Sequence, residues 1–295
     1  MRISSPKTRR SGTAARSIAG ALLVGLGATV AGSATAAGAQ SPGGELYRVT
    51  LQNVAAQPWA PPVVATHRDG THVFQVGAMA SDEIATVAQQ GNPAPLHTLL
   101  SGMPQVTQAI NVGHPIPGRG TQRTVDGMTF GDTEVVEIRA RPGDRLSVAG
   151  MLACTNDGFF GLDSVVIPTT GSATYMANAY DAGREDNTQR SEDLGDPCSV
   201  LGAAALRGDP NGNASPLTGA RQPIQLHAGI TATGDLTASA HGWQGAVGRI
   251  TVARVAGASA LPSTGGGPSG AALRVVAGLA VAAAGAGLAL TRRRA

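Results

Sequence analysis

The chain has 295 residues, 22 of them basic and 19 acidic, with a formal net charge of +3. That charge is not spread evenly: five basic residues precede position 40 and four follow position 264, so the stretch between holds 13 basic against 19 acidic residues, net −6. An acidic central region argues against a nucleic-acid partner and is compatible with binding a cation. Two cysteines are too few for a string of small disulfide modules.

In chain order, Arg2, Lys7, Arg9, Arg10 and Arg16 open a basic start, an apolar stretch covers 18–31, and Ala37-Gly38-Ala39 offers a small-x-small cleavage site before Gln40. This order predicts a secretory signal peptide over 1–39. A transmembrane helix is the poorer reading, because Gly20, Gly25 and Gly27 interrupt a run too short to span. Arg9-Arg10 keeps twin-arginine export open, although Ser11-Gly12-Thr13 stands where such signals carry an apolar pair.

About 225 residues then follow before position 265, enough for one large domain or two small ones. Residues 46–54 alternate as a strand does, and 72–77 read as a second. Pro58, Pro61 and Pro62 make the 53–62 connection a rigid turn. Ser81 is placed to cap a short helix with Asp82 and Glu83 in its first turn, ended by Gly91 and Pro93; 96–100 add one more turn. From 133 onward the pattern is β: 133–140 and 145–154, joined by Arg141-Pro142-Gly143-Asp144, read as a hairpin, and 162–167, 172–176, 223–230 and 246–255 as further strands. Residues 181–220 are polar, Gly/Pro-rich loop. Many short strands with one or two helices inserted early predict an all-β fold, a β-sandwich.

The pair Cys154 and Cys198 is expected to be a disulfide outside the cell. Trp59 is expected as a core anchor and Trp243 as buried against the last strand. At least one of Phe159 and Phe160 should point inward, because neighbours on a strand face opposite sides.

At the C-terminal side, Leu261-Pro262-Ser263-Thr264-Gly265 is followed by a Gly/Pro spacer, an apolar run over 275–290 and Arg292-Arg293-Arg294. This resembles an LPxTG cell-wall sorting signal. The apolar run would hold the precursor in the membrane with its arginines on the cytoplasmic side, presenting the Thr264 carbonyl to a sortase thiol. The resemblance implies cleavage between Thr264 and Gly265 and covalent attachment to peptidoglycan. With the Gly/Ala-rich composition, it implies a protein on the wall of a Gram-positive, actinobacterial-like cell. Residues 256–270 form the linker holding the signal, and 271–295 the apolar segment and basic tail.

Three stretches carry a second resemblance: 59–77 (WAPPVVATHRDGTHVFQVG), 151–163 (MLACTNDGFFGLD) and 180–188 (YDAGREDNT), with His227-Ala228-Gly229 and 246–255 near the end. Together they are similar to the spondin N-terminal domain family in its bacterial, stand-alone form, over about 46–255. The resemblance implies a β-sandwich of C2-like topology over 40–255, a bound calcium ion and adhesive company. Two departures stand out: Arg184 follows the Asp-Ala-Gly element, and the C-terminal histidine signature is reduced to His227, with His241-Gly242-Trp243-Gln244 nearby.

Asp157, Asp181 and Glu185 are the expected calcium ligands, with Asp163, Asp186 and Asn187 as substitutes or outer ligands. Calcium takes six to eight oxygens from several loops, and extracellular modules hold it at about 10⁻⁴–10⁻³ M. The alternative is that these acids only make turns. No enzyme is expected: the six histidines lack zinc-ligand spacing, no Gly-x-Ser-x-Gly element occurs, and nine aromatics cannot line a polysaccharide cleft. The expected function is a calcium-binding surface module for adhesion or contact with an extracellular protein or glycan; the alternatives are a purely structural envelope protein without specific ligand and, further behind, a secreted hydrolase.

Overall fold

The computed structural model describes residues 43–195, 198, 201 and 220–255. The expected signal peptide and the LPxTG element with Thr264 and Gly265 lie outside them. Among the described residues no helix is long and apolar enough to cross a membrane.

The elements run in the order β1 (Glu45–Asn53), β2 (Val63–His67), α1 (Asp82–Gln90), α2 (Ala94–Gly102), β3 (Val106–Asn111), β4 (Arg123–Val125), β5 (Met128–Phe130), β6 (Thr133–Ala140), β7 (Arg145–Met151), β8 (Gly158–Val166), β9 (Ser172–Asp181), β10 (Gln225–Leu226), α3 (Ala238–His241) and β11 (Gly248–Arg254). The fold is mostly β, as expected. One nine-stranded sheet runs β3-β2-β7-β8-β9-β11-β1-β6, with β10 beside β9, and β4–β5 form a separate small hairpin.

The sheet curls until its ends nearly meet. β9 is the corner: residues 172–177 pair with β11, while residues 178–181 pair with β8. At the seam, side chains replace the missing ladder. Thr66 Oγ1 donates to the Arg139 carbonyl at 2.6 Å, and Arg139 N–H donates to Gln108 Oε1 at 2.7 Å. Nearly closing the sheet hides the unpaired groups that an edge strand would expose.

Alternation fills the inside. Tyr47, Val49 and Leu51 of β1 face the interior with Ile138, Val148, Phe160, Ile250 and Val252. Trp59 stacks on Phe160, ring centroids 3.7 Å apart. A second apolar cluster lies on the outer face, where α1 and α2 cover β2, β7 and β8 with Ile84, Val87, Leu96 and Leu100 against Val63, Ala65 and Phe159. Phe159 and Phe160 therefore both pack, on opposite faces; the possibility that one is exposed does not hold.

Four other local readings change. The strand expected at 72–77 is irregular chain held by Asp163, whose Oδ1 accepts from Val73 N at 2.7 Å. Val63–His67, read as no element, is a strand buried along its whole length because the helices cover its outer side. The 223–230 strand shortens to two residues. The turn expected at 141–144 forms, with Asp144 N–H bonded to Arg141 O at 3.0 Å, but it does not close a hairpin: β6 pairs with β1, and β7 with β2 and β8.

Candidate functional site

The candidate site lies where β8 begins and β9 ends. Residues 152–158 turn tightly because Thr155 Oγ1 donates to the Leu152 carbonyl at 2.7 Å and accepts from Gly158 N at 2.9 Å. That turn places Asp157 wholly inside the protein, at 0% exposure. The sheet register sets Gly158 opposite Asp181, and Ala182 N–H donates to the Asp157 carbonyl at 3.1 Å. Strand pairing thus brings together two carboxylates 24 positions apart in sequence.

The two are held differently. Asp157 Oδ2 accepts from the backbone N–H of Arg184 at 2.6 Å and of Glu185 at 3.1 Å, while its Oδ1 is buried with no hydrogen-bond partner. Asp181 Oδ1 accepts from Gly183 N at 2.7 Å and Oδ2 from Asn187 Nδ2 at 2.6 Å. Gly183 makes the bend possible: its φ is +66°, and a Cβ there would lie 2.1 Å from the Gln222 carbonyl oxygen. Burial, then the negative charge of Asp181, push the Asp157 carboxyl up to about 7, against the pull of the Arg184 and Glu185 amides.

The remaining expected ligands are distributed as follows. Glu185 is buried beside the pair through its backbone, and its Oε1 accepts from Gln89 Nε2 of α1 at 2.5 Å. Asn187 reaches Asp181. Asp163 belongs elsewhere: it accepts from Val73 N and Ser147 Oγ, and its Oδ2 lies 2.6 Å from His72 Nδ1. Arg184 leaves the carboxylates uncompensated, because its guanidinium turns to the Ala80 carbonyl and to Asp82 Oδ1 at 3.1 Å. Among the described residues, no group of three or more His, Cys, Asp or Glu side chains is arranged to hold a metal ion. Strand pairing brings the Asp157 and Asp181 carboxylates together; the rest of a calcium shell would come from carbonyl, amide and water oxygens.

Below the pair, the Cys154–Cys198 disulfide is present, Cα atoms 4.7 Å apart, packed with Leu194 and Leu236. It ties the 181–198 loop to the turn that carries Asp157. A buried amide ladder that sequence reasoning missed braces the same end. Asn53 Nδ2 donates to the Gln57 carbonyl at 2.7 Å; Gln57 Nε2 donates to Cys154 O at 2.8 Å, and its Oε1 accepts from Cys154 N at 3.0 Å. The available signal was Asn53 at an inward position of an alternating strand. Asn156 extends the brace, accepting from Gln189 N at 3.2 Å.

Trp243 packs against the cluster that holds Val247, Ile250 and Val252, so the expected burial is met in part: the indole is half-buried, edge-on to His227 at 5.1 Å between ring centroids. Neither carboxylate lines the groove of about 460 Å³ that borders it. No protein-family model matches the chain, and a search of curated proteins finds no match.

Proposed function

We propose that this is an exported, wall-anchored, non-catalytic surface module whose β-domain is stabilised by a calcium ion at Asp157 and Asp181. One observation carries the cation: a fully buried carboxylate oxygen, Asp157 Oδ1, lacks any donor while a second carboxylate stands beside it. A buried charge of that kind is costly unless paired or metal-bound. Asp157 Oδ1 and Asp181 would hold the ion, with loop oxygens of 181–187 completing its shell. The ion's work is structural, screening two like charges. The sortase signal and the spondin-like stretches support the surface setting, and the corner at β9 is compatible with a C2-like sandwich of two packed halves.

Exposed apolar side chains support a contact role. Val76, Met79 and Leu226 are 59%, 52% and 62% exposed, on segments joined by the Met79–Pro223 bridge and the Gly77 N–H to Ile224 O bond. The partner on this reading is an extracellular protein or glycan. A second reading, a structural envelope protein, is favoured by the raised Asp157 pKa: a proton on Asp157 would remove the repulsion without metal.

Thermal melting of the purified chain separates the two. On the cation reading, millimolar calcium raises Tm over chelator, and Asp157→Asn removes most of the rise. Identical melting in calcium and in EDTA defeats it.

A further inference from the structure

Two adjoining grooves flank Trp243. The larger, about 460 Å³, is walled by residues 54–56, Arg119 and α3; the smaller, about 300 Å³, by Asn178, Leu226 and His227. Both include Ala228, Gly229 and Trp243, so the indole forms the ridge between them. Volumes of this order suit small ligands.

The chemistry of the walls is selective. No Asp or Glu lines either groove, although acids outnumber bases in the 40–264 stretch. Arg119 stands exposed at the rim and makes no ion pair among the described residues. Gly242, Gly245 and Gly229 have no side chains to shade the indole, and exposed Ser239, Gln244 and Asn178 supply a hydroxyl and two amides. His227 Nδ1 accepts from Gly229 N at 3.0 Å, which fixes the ring beside the indole with its Nε2 buried beneath the groove surface. A half-open indole bordered by amides and a hydroxyl matches a sugar ring, which has apolar C–H faces and hydroxyl edges. An unpaired guanidinium matches a carboxylate. Val54, Ile230 and Leu226 stand among the lining alanines and glycines, but polar surface exceeds apolar in both grooves, which favours a hydroxyl-rich ligand over an apolar peptide side chain. A lone indole cannot build the long aromatic cleft of a polysaccharide hydrolase, but it suffices as the platform for one ring.

We propose that the twin grooves bind a short carboxylate-bearing oligosaccharide, one ring on the Trp243 indole and a carboxylate on Arg119. This names a ligand class for the surface-module reading but uses neither Asp157 nor Asp181.

The chain has two tryptophans, and Trp59 is fully buried against Phe160, so ligand-dependent fluorescence reports Trp243. The full chain is titrated with hyaluronan tetrasaccharide and with tetragalacturonate, with the carboxyl-reduced form of each, and with a tetraglutamate peptide. Each titration is run in calcium and in EDTA. Saturable quenching is expected with at least one acidic sugar, its reduced form binding at least fivefold more weakly. Arg119→Gln should bring the acidic sugar down to the reduced form's affinity. Trp243→Ala, followed by calorimetry, should abolish the sugar-dependent heat in a chain that still melts cooperatively, at a lower Tm because the half-buried indole also packs on the interior cluster; Arg119→Gln, at an exposed position, should leave Tm unchanged. No saturable change with either acidic sugar, equal binding of acidic and reduced forms, or equal binding of the peptide overturns the proposal. Sugar binding that is the same in EDTA, with no calcium effect on Tm, would sink the cation reading alone.

Discussion

At the scale of single residues, Asp157 concentrates the energetic conflict in this protein. Its carboxyl is raised to about 7 because burial and the Asp181 charge both oppose ionisation. In an unfolded chain an aspartate titrates near 3.9. Between those values the folded state holds the proton that the unfolded state has released, so stability without a cation falls as pH rises from about 4 to about 7. A bound cation offsets that loss only where Asp157 is ionised. The calcium-dependent rise in Tm is therefore expected to be small at pH 5 and large at pH 8. In EDTA, Asp157→Asn should flatten the fall in Tm between those pH values, since the amide keeps the shape without the titration. A rise in Tm with calcium that is the same size at both pH values would contradict this account. Trp59 and Phe160 are the other residues on which much rests: both are fully buried and stacked. Phe160→Ala should cost about 3–5 kcal/mol in a denaturant melt.

Among the elements, local chemistry and long-range pairing have different authority. Ser81 caps α1 as its position indicates, accepting from Ile84 N at 3.2 Å, and Gly91 ends the helix in the left-handed region. Both are decided within one turn of chain, and Ser81→Ala should cost about 1 kcal/mol. The 141–144 turn shows where such reasoning stops. Its Pro-Gly chemistry produces the turn, but Asp144 is buried and accepts from Arg141 N at 2.8 Å and from the Thr107 hydroxyl at 2.5 Å. That tie fastens the turn to β3, and the flanking strands leave for different partners. Alternating β-branched residues say that a strand forms and which face is apolar; they do not say which strand lies beside it. The same limit hid β2, whose short run Val63–His67 lacks alternation because both faces are covered. Asp144→Ala strands the Thr107 hydroxyl and the Arg141 amide, so a loss of about 1–3 kcal/mol, larger than that of Ser81→Ala, is expected in the same melts.

The whole molecule is stapled at the end where its carboxylates meet. The disulfide closes a separation of 44 residues, which on the loop-entropy model stabilises the fold by about 4 kcal/mol. Reduction should lower Tm, and it should also weaken any calcium effect, because the 181–198 loop loses its tie to the Asp157 turn. A calcium response that survives reduction unchanged would show that the staple does not support the site. Composition, turn residues, the helix cap and the pairing of the only two cysteines were decided by the sequence alone, since each depends on neighbours along the chain or on there being no other choice. The meeting of Asp157 with Asp181, the near closure of the sheet and the groove beside Trp243 were decided by the tertiary structure. They depend on which strands lie side by side, a choice made by the packing of two apolar clusters from all parts of the chain, with no single segment encoding it.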